Sequence, residues 1–250
     1  MKKVIIIPAR LDSSRLPKKV LLDLKGKTVI QRVYEQCLKV KNVDGVYIAT
    51  DSIEIKEVCE TFTDKVIITK STHQSGTDRI GEAVSAIDCD VVINVQGDEP
   101  FIEPSLIEAL VNSFSNSDIS MSSAMSKINN IKDLQNTNVV KVVTDLHNNA
   151  LFFSRSLIPF PRDVKEISTA KEVLEKGQFY RHIGIYGYRK DFLLKFVNME
   201  QSYLEKVEKL EQLRALENGF KIKMIEANSS LIGIDTREDY EEALKKILSS

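Results

Sequence analysis

The stretch VVINVQGDEPFIEP, residues 91–104, decides how the chain folds and raises the question of what it does. Val91 to Val95 are almost all apolar and β-branched, which predicts a strand buried on both faces. A helix is expected to open at Pro104-Ser105, since proline suits a first helical turn. Between them lies Gln96-Gly97-Asp98-Glu99-Pro100, a turn carrying two adjacent carboxylates. The same pattern recurs upstream. KVIIIPA (3–9), VYIAT (46–50) and KVIIT (65–69) read as strands. TVIQRVYEQCLK (28–39), the segment capped by Asp51-Ser52, and Gly76 to Ile87 read as helices. Strand alternating with helix predicts α/β architecture: a doubly wound, mostly parallel sheet covered on both faces.

Beyond about residue 117 the rhythm changes. ISMSSAM (119–125), VVKVVTD (139–145), ALFFS (150–154) and YRHIGIYGYR (180–189) come with fewer helices between them, as in an antiparallel arrangement. One long helix is expected over 202–219. A final strand, KIKMIEA (221–227), and a final helix, TREDYEEALKKIL (236–248), follow, with Thr236 and Asp239 spaced as a capping box. The expected organisation is one unit. Residues 1–117 form its main part, about 118–220 a smaller mixed α+β subdomain inserted in the second half, and 221–250 a return to the main sheet.

The 250 residues carry 35 basic and 36 acidic side chains, a balance that argues against a nucleic-acid binder. The three cysteines show no CxxC spacing, which argues against a disulfide framework or zinc site and predicts a cytoplasmic protein. The apolar run in MKKVIIIPAR is too short for a signal peptide, and no later run is long enough to span a membrane.

Ligands of open α/β sheets bind beyond the carboxyl ends of the strands. The first strand empties into Ala9-Arg10 and a loop with Ser13, Ser14, Arg15 and Lys19; the fourth empties into Gln96-Gly97-Asp98-Glu99. Cations facing carboxylates suit a polyphosphate with Mg²⁺ between them, and the same acids would equally serve as a solvated turn. Asp235, in GIDTRED, could join them or simply cap the last helix. Gly26-Lys27-Thr28 is not a P-loop, because Leu21 stands where the first glycine is required. Asp88-Cys89-Asp90 precedes its strand, at the end away from the site. His182 alternates with Gly184, Tyr186 and Tyr188 along one strand, and its spacing alone favours a half-buried structural histidine. No nucleophile signature is present.

IPARLDSSRLPKKVL (7–21) resembles the N-terminal loop of the sugar-acid cytidylyltransferases, whose pattern is near PARxxSxRLPGKxL. HQSGTDRIGEAV, VVINVQGDEPFI, LFFSRSLIPFPRD, RHIGIYGYRKDFL, LEQLRALENGFKI and GIDTREDYE follow in the order found in the branch of that family acting on 3-deoxy-manno-octulosonate (Kdo). The resemblance runs from about residue 3 to residue 245. It implies a Rossmann-like fold of nucleotidyltransferase type and transfer of CMP from CTP to the anomeric hydroxyl of Kdo, with pyrophosphate released, in lipopolysaccharide synthesis. Another acid sugar, such as 8-amino-Kdo or a sialic-acid-like nonulosonate, and a catalytically silent nucleotide binder are the rival readings. The resemblance also implies Mg²⁺ held by Asp98 and Asp235, with Lys19 and Arg10 joining them in catalysis. CTP would be held by Ala9, Arg10, Ser13, Arg15, Lys19, Ser75, Gly76, Thr77, Asp78, Arg79 and Gln96. The sugar acid would meet Gln96, Arg155, Arg162, His182, Tyr186, Glu211 and Gln212. A homodimer formed through the second subdomain is implied as well. Lys18 departs from the pattern, standing where the family has glycine.

Overall fold

The computed structural model describes residues 1–11, 15–162, 174, 177–227 and 233–248. Its strands are β1 (Lys3–Ala9), β2 (Gly45–Thr50), β3 (Val66–Ile68), β4 (Val91–Asn94), β5 (Met121–Lys127), β6 (Lys141–Thr144), β7 (Ala150–Ser154), β8 (Tyr180–Arg189) and β9 (Ile222–Glu226). Seven of these form a continuous path in the order β3-β2-β1-β4-β8-β5-β9. The β1–β2, β1–β4 and β2–β3 pairs are parallel, as is β5–β9. The β8 strand is antiparallel to both β4 and β5, and so is the reversed strand in that path. The second half of the chain therefore extends the same sheet, and the β6–β7 hairpin hangs from the start of β8 through Lys141 and Val142.

The period of two along β1 shows why the strands read as unbroken apolar runs. Ile5 and Ile7 pack into one core, while Val4 and Ile6 pack into the other. The first core is roofed by α1 (Val29–Cys37), α2 (Ile53–Glu60) and α4 (Pro104–Ser113). The second is roofed by α3 (Gly76–Ser85) and, later in the chain, α6 (Lys190–Phe196). Three of the helix starts follow from side-chain caps. Thr28 accepts from the Gln31 N–H, Ser52 from Ile55, and Ser75 and Asp78 cap each other reciprocally. Pro104 occupies the first turn of α4, as its residue type predicts. The short α5 spans Ile131–Gln135.

The long helix expected over 202–219 is broken. It becomes α7 (Tyr203–Glu208) and α8 (Leu213–Glu217), because Lys209 adopts the left-handed conformation, with φ 55° and ψ 48°. Tertiary contacts hold the break. The Arg214 guanidinium reaches back across it to the Glu205 carboxylate through bonds of 2.8 and 2.6 Å. The consequence is that Glu211 and Gln212, which a continuous helix would carry past, lie in the turn between the two pieces.

The last helix, α9 (Arg237–Leu248), packs on the loop after β1 through Leu16, Leu24, Val29, Ile234 and Ala243. No described helix is long and apolar enough to cross a membrane.

Candidate active site

Two pockets open side by side at the carboxyl end of β1 and β4, and Ser75, Gly76 and Gln96 line both. Their volumes, about 230 and 410 Å³, suit two small molecules held next to each other.

The first pocket is built where β1 and β4 end. Gly97 allows this closeness, since a Cβ there would stand 3.0 Å from the Pro8 carbonyl oxygen. Ala9, Arg10, Arg15, Lys19, Arg79, Asp98 and Asp235 also line its wall. Lys19 Nζ sits between the two aspartates, donating to Asp98 Oδ2 and, at 2.6 Å, to Asp235 Oδ1. Arg15 donates to the other Asp235 oxygen at 3.1 Å. The backbone draws the two acids together, because the Ile234 N–H donates to the Asp98 carbonyl at 2.9 Å. Burial works against the Lys19 ammonium, but its bonds to the two carboxylates outweigh that and raise its pKa. Burial likewise works against ionised Asp235, and Lys19 with Arg15 reverses it, lowering the carboxyl pKa.

The capping alternative for Asp235 is resolved. Thr236 and Asp239 exchange the capping-box bonds of α9, at 2.8 and 3.2 Å, so the Asp235 carboxylate is free to face the pocket. Glu99 parts company with Asp98. Burial, then the nearby charges of Asp98 and Asp235, push its carboxyl up to about 8, and its Oε2 is buried with no hydrogen-bond partner among the described residues. Of the two adjacent acids in the opening stretch, one faces the site and the other is held inward, where burial disfavours its charged form.

The loop around Lys18 keeps the left-handed backbone that a glycine would favour, at φ 55°. Its side chain turns away to Glu54, with bonds of 2.7 and 2.8 Å, so it adds no charge to the pocket. Ser13 lies outside the described residues. Asp78 spends its carboxylate on capping α3, and Thr77 lines the second pocket rather than the first. Arg79 lines the first pocket but is already committed to Thr69 at 2.6 Å and Asp51 at 2.9 Å. Sequence reasoning missed His73 in this wall, where its ring bonds the Glu82 carboxylate. The spacing of nine between them forms no known motif.

The second pocket is lined by His182, Tyr186, Glu211 and Gln212, together with the shared Gln96. The Ser123 hydroxyl donates to the Ile185 carbonyl at 2.8 Å, so the bond between Ser123 Oγ and His182 Nε2, also 2.8 Å, has the imidazole as donor. Nδ1 then faces the Gln212 amide at 3.5 Å, and the Gln212 oxygen accepts from the Tyr186 hydroxyl at 3.3 Å. Burial lowers the His182 pKa to about 3, so the ring is a neutral hydrogen-bonding group. Burial also raises the Glu211 carboxyl, an effect the Thr77 and Ser75 hydroxyls partly offset. Those two hydroxyls tie the second pocket to the cap of α3.

Arg155 and Arg162 do not reach either wall. Arg162 is exposed. The Arg155 guanidinium is spent on backbone carbonyls, donating to Glu208 at 2.8 Å and Thr137 at 3.1 Å. Its residue type suited a carboxylate grip, but its neighbours in the fold claim its donors first.

The first pocket offers cations and an α3 amino terminus to a polyphosphate. It also offers two carboxylates, already converging on one cation, to a divalent metal. Among the described residues no group of three His, Cys, Asp or Glu side chains could hold a metal by itself. Two oxygen donors of this kind suit Mg²⁺, which completes its shell with phosphate oxygens and water.

Known proteins resemble this chain over nearly its whole length. A family model described as cytidylyltransferase matches residues 4–224. A 3-deoxy-manno-octulosonate cytidylyltransferase from Francisella tularensis subsp. novicida is 49% identical over 95% of each chain. One from Geobacter metallireducens is 44% identical over 99% of this chain and 98% of its own. The structure of a CMP:2-keto-3-deoxy-manno-octonic acid synthetase complexed with CTP superposes with a TM-score of 0.92 at 37% identity, covering 100% of this chain and 99% of that one. By sequence and by fold, the chain belongs to the cytidylyltransferase family, among its 3-deoxy-manno-octulosonate members.

Proposed function

We propose that the chain transfers CMP from CTP to the anomeric hydroxyl of Kdo and releases pyrophosphate. The observation that carries this reading is the pair of adjoining pockets, one cationic with two carboxylates, the other neutral and rich in hydrogen-bonding groups, with Gln96 in both walls. CTP would occupy the first and the sugar acid the second, which sets the anomeric oxygen beside the α-phosphorus. A new P–O bond forms as the hydroxyl gives its proton to water and the bond to the leaving pyrophosphate breaks on the opposite side. Transfers of this kind depend on positioning and charge neutralisation more than on covalent catalysis, which fits a chain with no nucleophile signature.

In this reading Arg10, Arg15 and Lys19 offset phosphate charge, and the α3 amino terminus adds its N–H groups. Asp98 and Asp235 would hold Mg²⁺, which supplies Lewis-acid and templating chemistry when bound. His182, Tyr186, Glu211 and Gln212 orient the sugar hydroxyls, and the neutrality of His182 gives it that role rather than an ion pair. The buried, unpaired cysteines Cys37, Cys59 and Cys89 suit a reducing compartment, and we place the activity in the cytoplasm, in lipopolysaccharide synthesis. Exposed Leu146, Leu151, Phe160, Tyr203 and Val207, all from the second half, support a homodimer through that part.

Incubation with CTP, Mg²⁺ and Kdo should release pyrophosphate, and omission of either Mg²⁺ or Kdo should abolish it. Light scattering of the same preparation should give twice the mass of one chain. Release with 8-amino-Kdo or sialic acid but not with Kdo would change the substrate. No release with any acid sugar, from a protein that still binds CTP, would leave a silent nucleotide binder.

A further inference from the structure

We propose that Lys141 is a positioning residue for the sugar-acid pocket: its buried ammonium gathers the main chain that walls the pocket and so sets its affinity for the sugar. The inference rests on the reading of that pocket given above.

Lys141 begins β6, and its side chain is 0% exposed. A buried ammonium is tolerated only if its three N–H groups find acceptors. All three do, on the carbonyls of Asn136 at 3.0 Å, Val139 at 2.8 Å and Arg155 at 2.6 Å. These acceptors are main chain, so the ammonium shapes the backbone. From Arg155 the clamp continues. Its guanidinium holds the carbonyls of Thr137 and Glu208, and its own N–H donates to the Glu208 carboxylate at 3.0 Å. Ser154 secures the other oxygen of that carboxylate at 2.7 Å.

Two separate segments, 136–140 and 208–212, are thus hung from one cluster. The first brings Asn138, Val139 and Val140 to the second pocket; the second brings Glu211 and Gln212. The first pocket takes none of its wall from either segment. Loosening the clamp should therefore weaken one substrate and spare the other, an outcome that general destabilisation would not give.

Lys141→Met keeps the length of the side chain and removes its donors. We expect KM for Kdo to rise about tenfold, from the loss of three buried hydrogen bonds, with KM for CTP within about twofold of wild type. Amide hydrogen exchange should quicken in residues 136–140 and 208–212 and stay unchanged in 15–21, whose Arg15, Lys19 and Val20 line only the first pocket. Ser154→Ala, a milder cut in the same cluster, should give the same split at about two- to threefold and decides the matter if Lys141→Met does not fold. Equal rises in both KM values, or unchanged KM and exchange, would overturn the inference. Wild-type protein that fails to turn over Kdo would overturn the reading of the pocket, while the exchange pattern still tests the clamp on its own.

Discussion

Asp98→Asn should lower kcat for pyrophosphate release by roughly 10²–10³-fold, the scale of losing one preorganised electrostatic partner in an active site. The substitution keeps shape and removes charge. Asp98 meets Lys19 in a part-buried position at the rim of the first pocket, and its backbone carbonyl, which holds Ile234, is untouched. The fold should survive, with Asp235 still paired to Lys19 and Arg15. If Asp98 helps to hold Mg²⁺, the variant should also need more of it, so a Mg²⁺ titration of turnover would shift to higher concentration. The decisive measurement is kcat across that titration beside a melting curve. Near-normal turnover at ordinary Mg²⁺ would remove Asp98 from the metal role.

The largest expected effect on stability belongs to Arg214. Arg214 and Glu205 are 5% and 6% exposed and joined by two bonds, and Arg214 also reaches the Phe196 carbonyl at 3.3 Å. Arg214→Met would leave the Glu205 carboxylate buried without its counter-charge. Breaking such a pair from one side costs about 3–5 kcal/mol. For a chain of this size that corresponds to a fall in Tm of about 6–20 °C. Glu205→Gln, which keeps a polar partner for the guanidinium, should cost less. A fall of under about 2 °C for Arg214→Met would show that the α7–α8 break is held by something other than this pair.

These two sites also mark how far the sequence could be read. The strand ends could be placed because period and position settle them. An apolar run ending in Gln-Gly-Asp-Glu has one outlet, and the carboxyl-end rule says which outlet matters. The position of Asp235 was legible as a polar residue at a helix start, but not its partner, because Lys19 and Asp235 meet only through the packing of α9 on the first loop. The break at Lys209 was not legible. Leucine and valine spaced three apart continue across it, lysine is not a residue that announces a left-handed turn, and the force that holds the break is a tertiary ion pair. The contacts of Lys141 and Arg155 were not legible either, for a related reason. Neither VVKVV nor LFFSR tells which acceptors its basic residue will find. In both, the acceptors are main-chain carbonyls that no local pattern reveals.

The pairing of Lys19 with Asp235 spans 216 residues. A ribosome making this chain builds β1 and its cationic loop before it reaches Asp235. Until α9 docks, Lys19 has only Asp98 of its two carboxylate partners. If Asp235 serves as proposed, a product that stops short of residue 235 would not turn over, however much of the sheet it had formed.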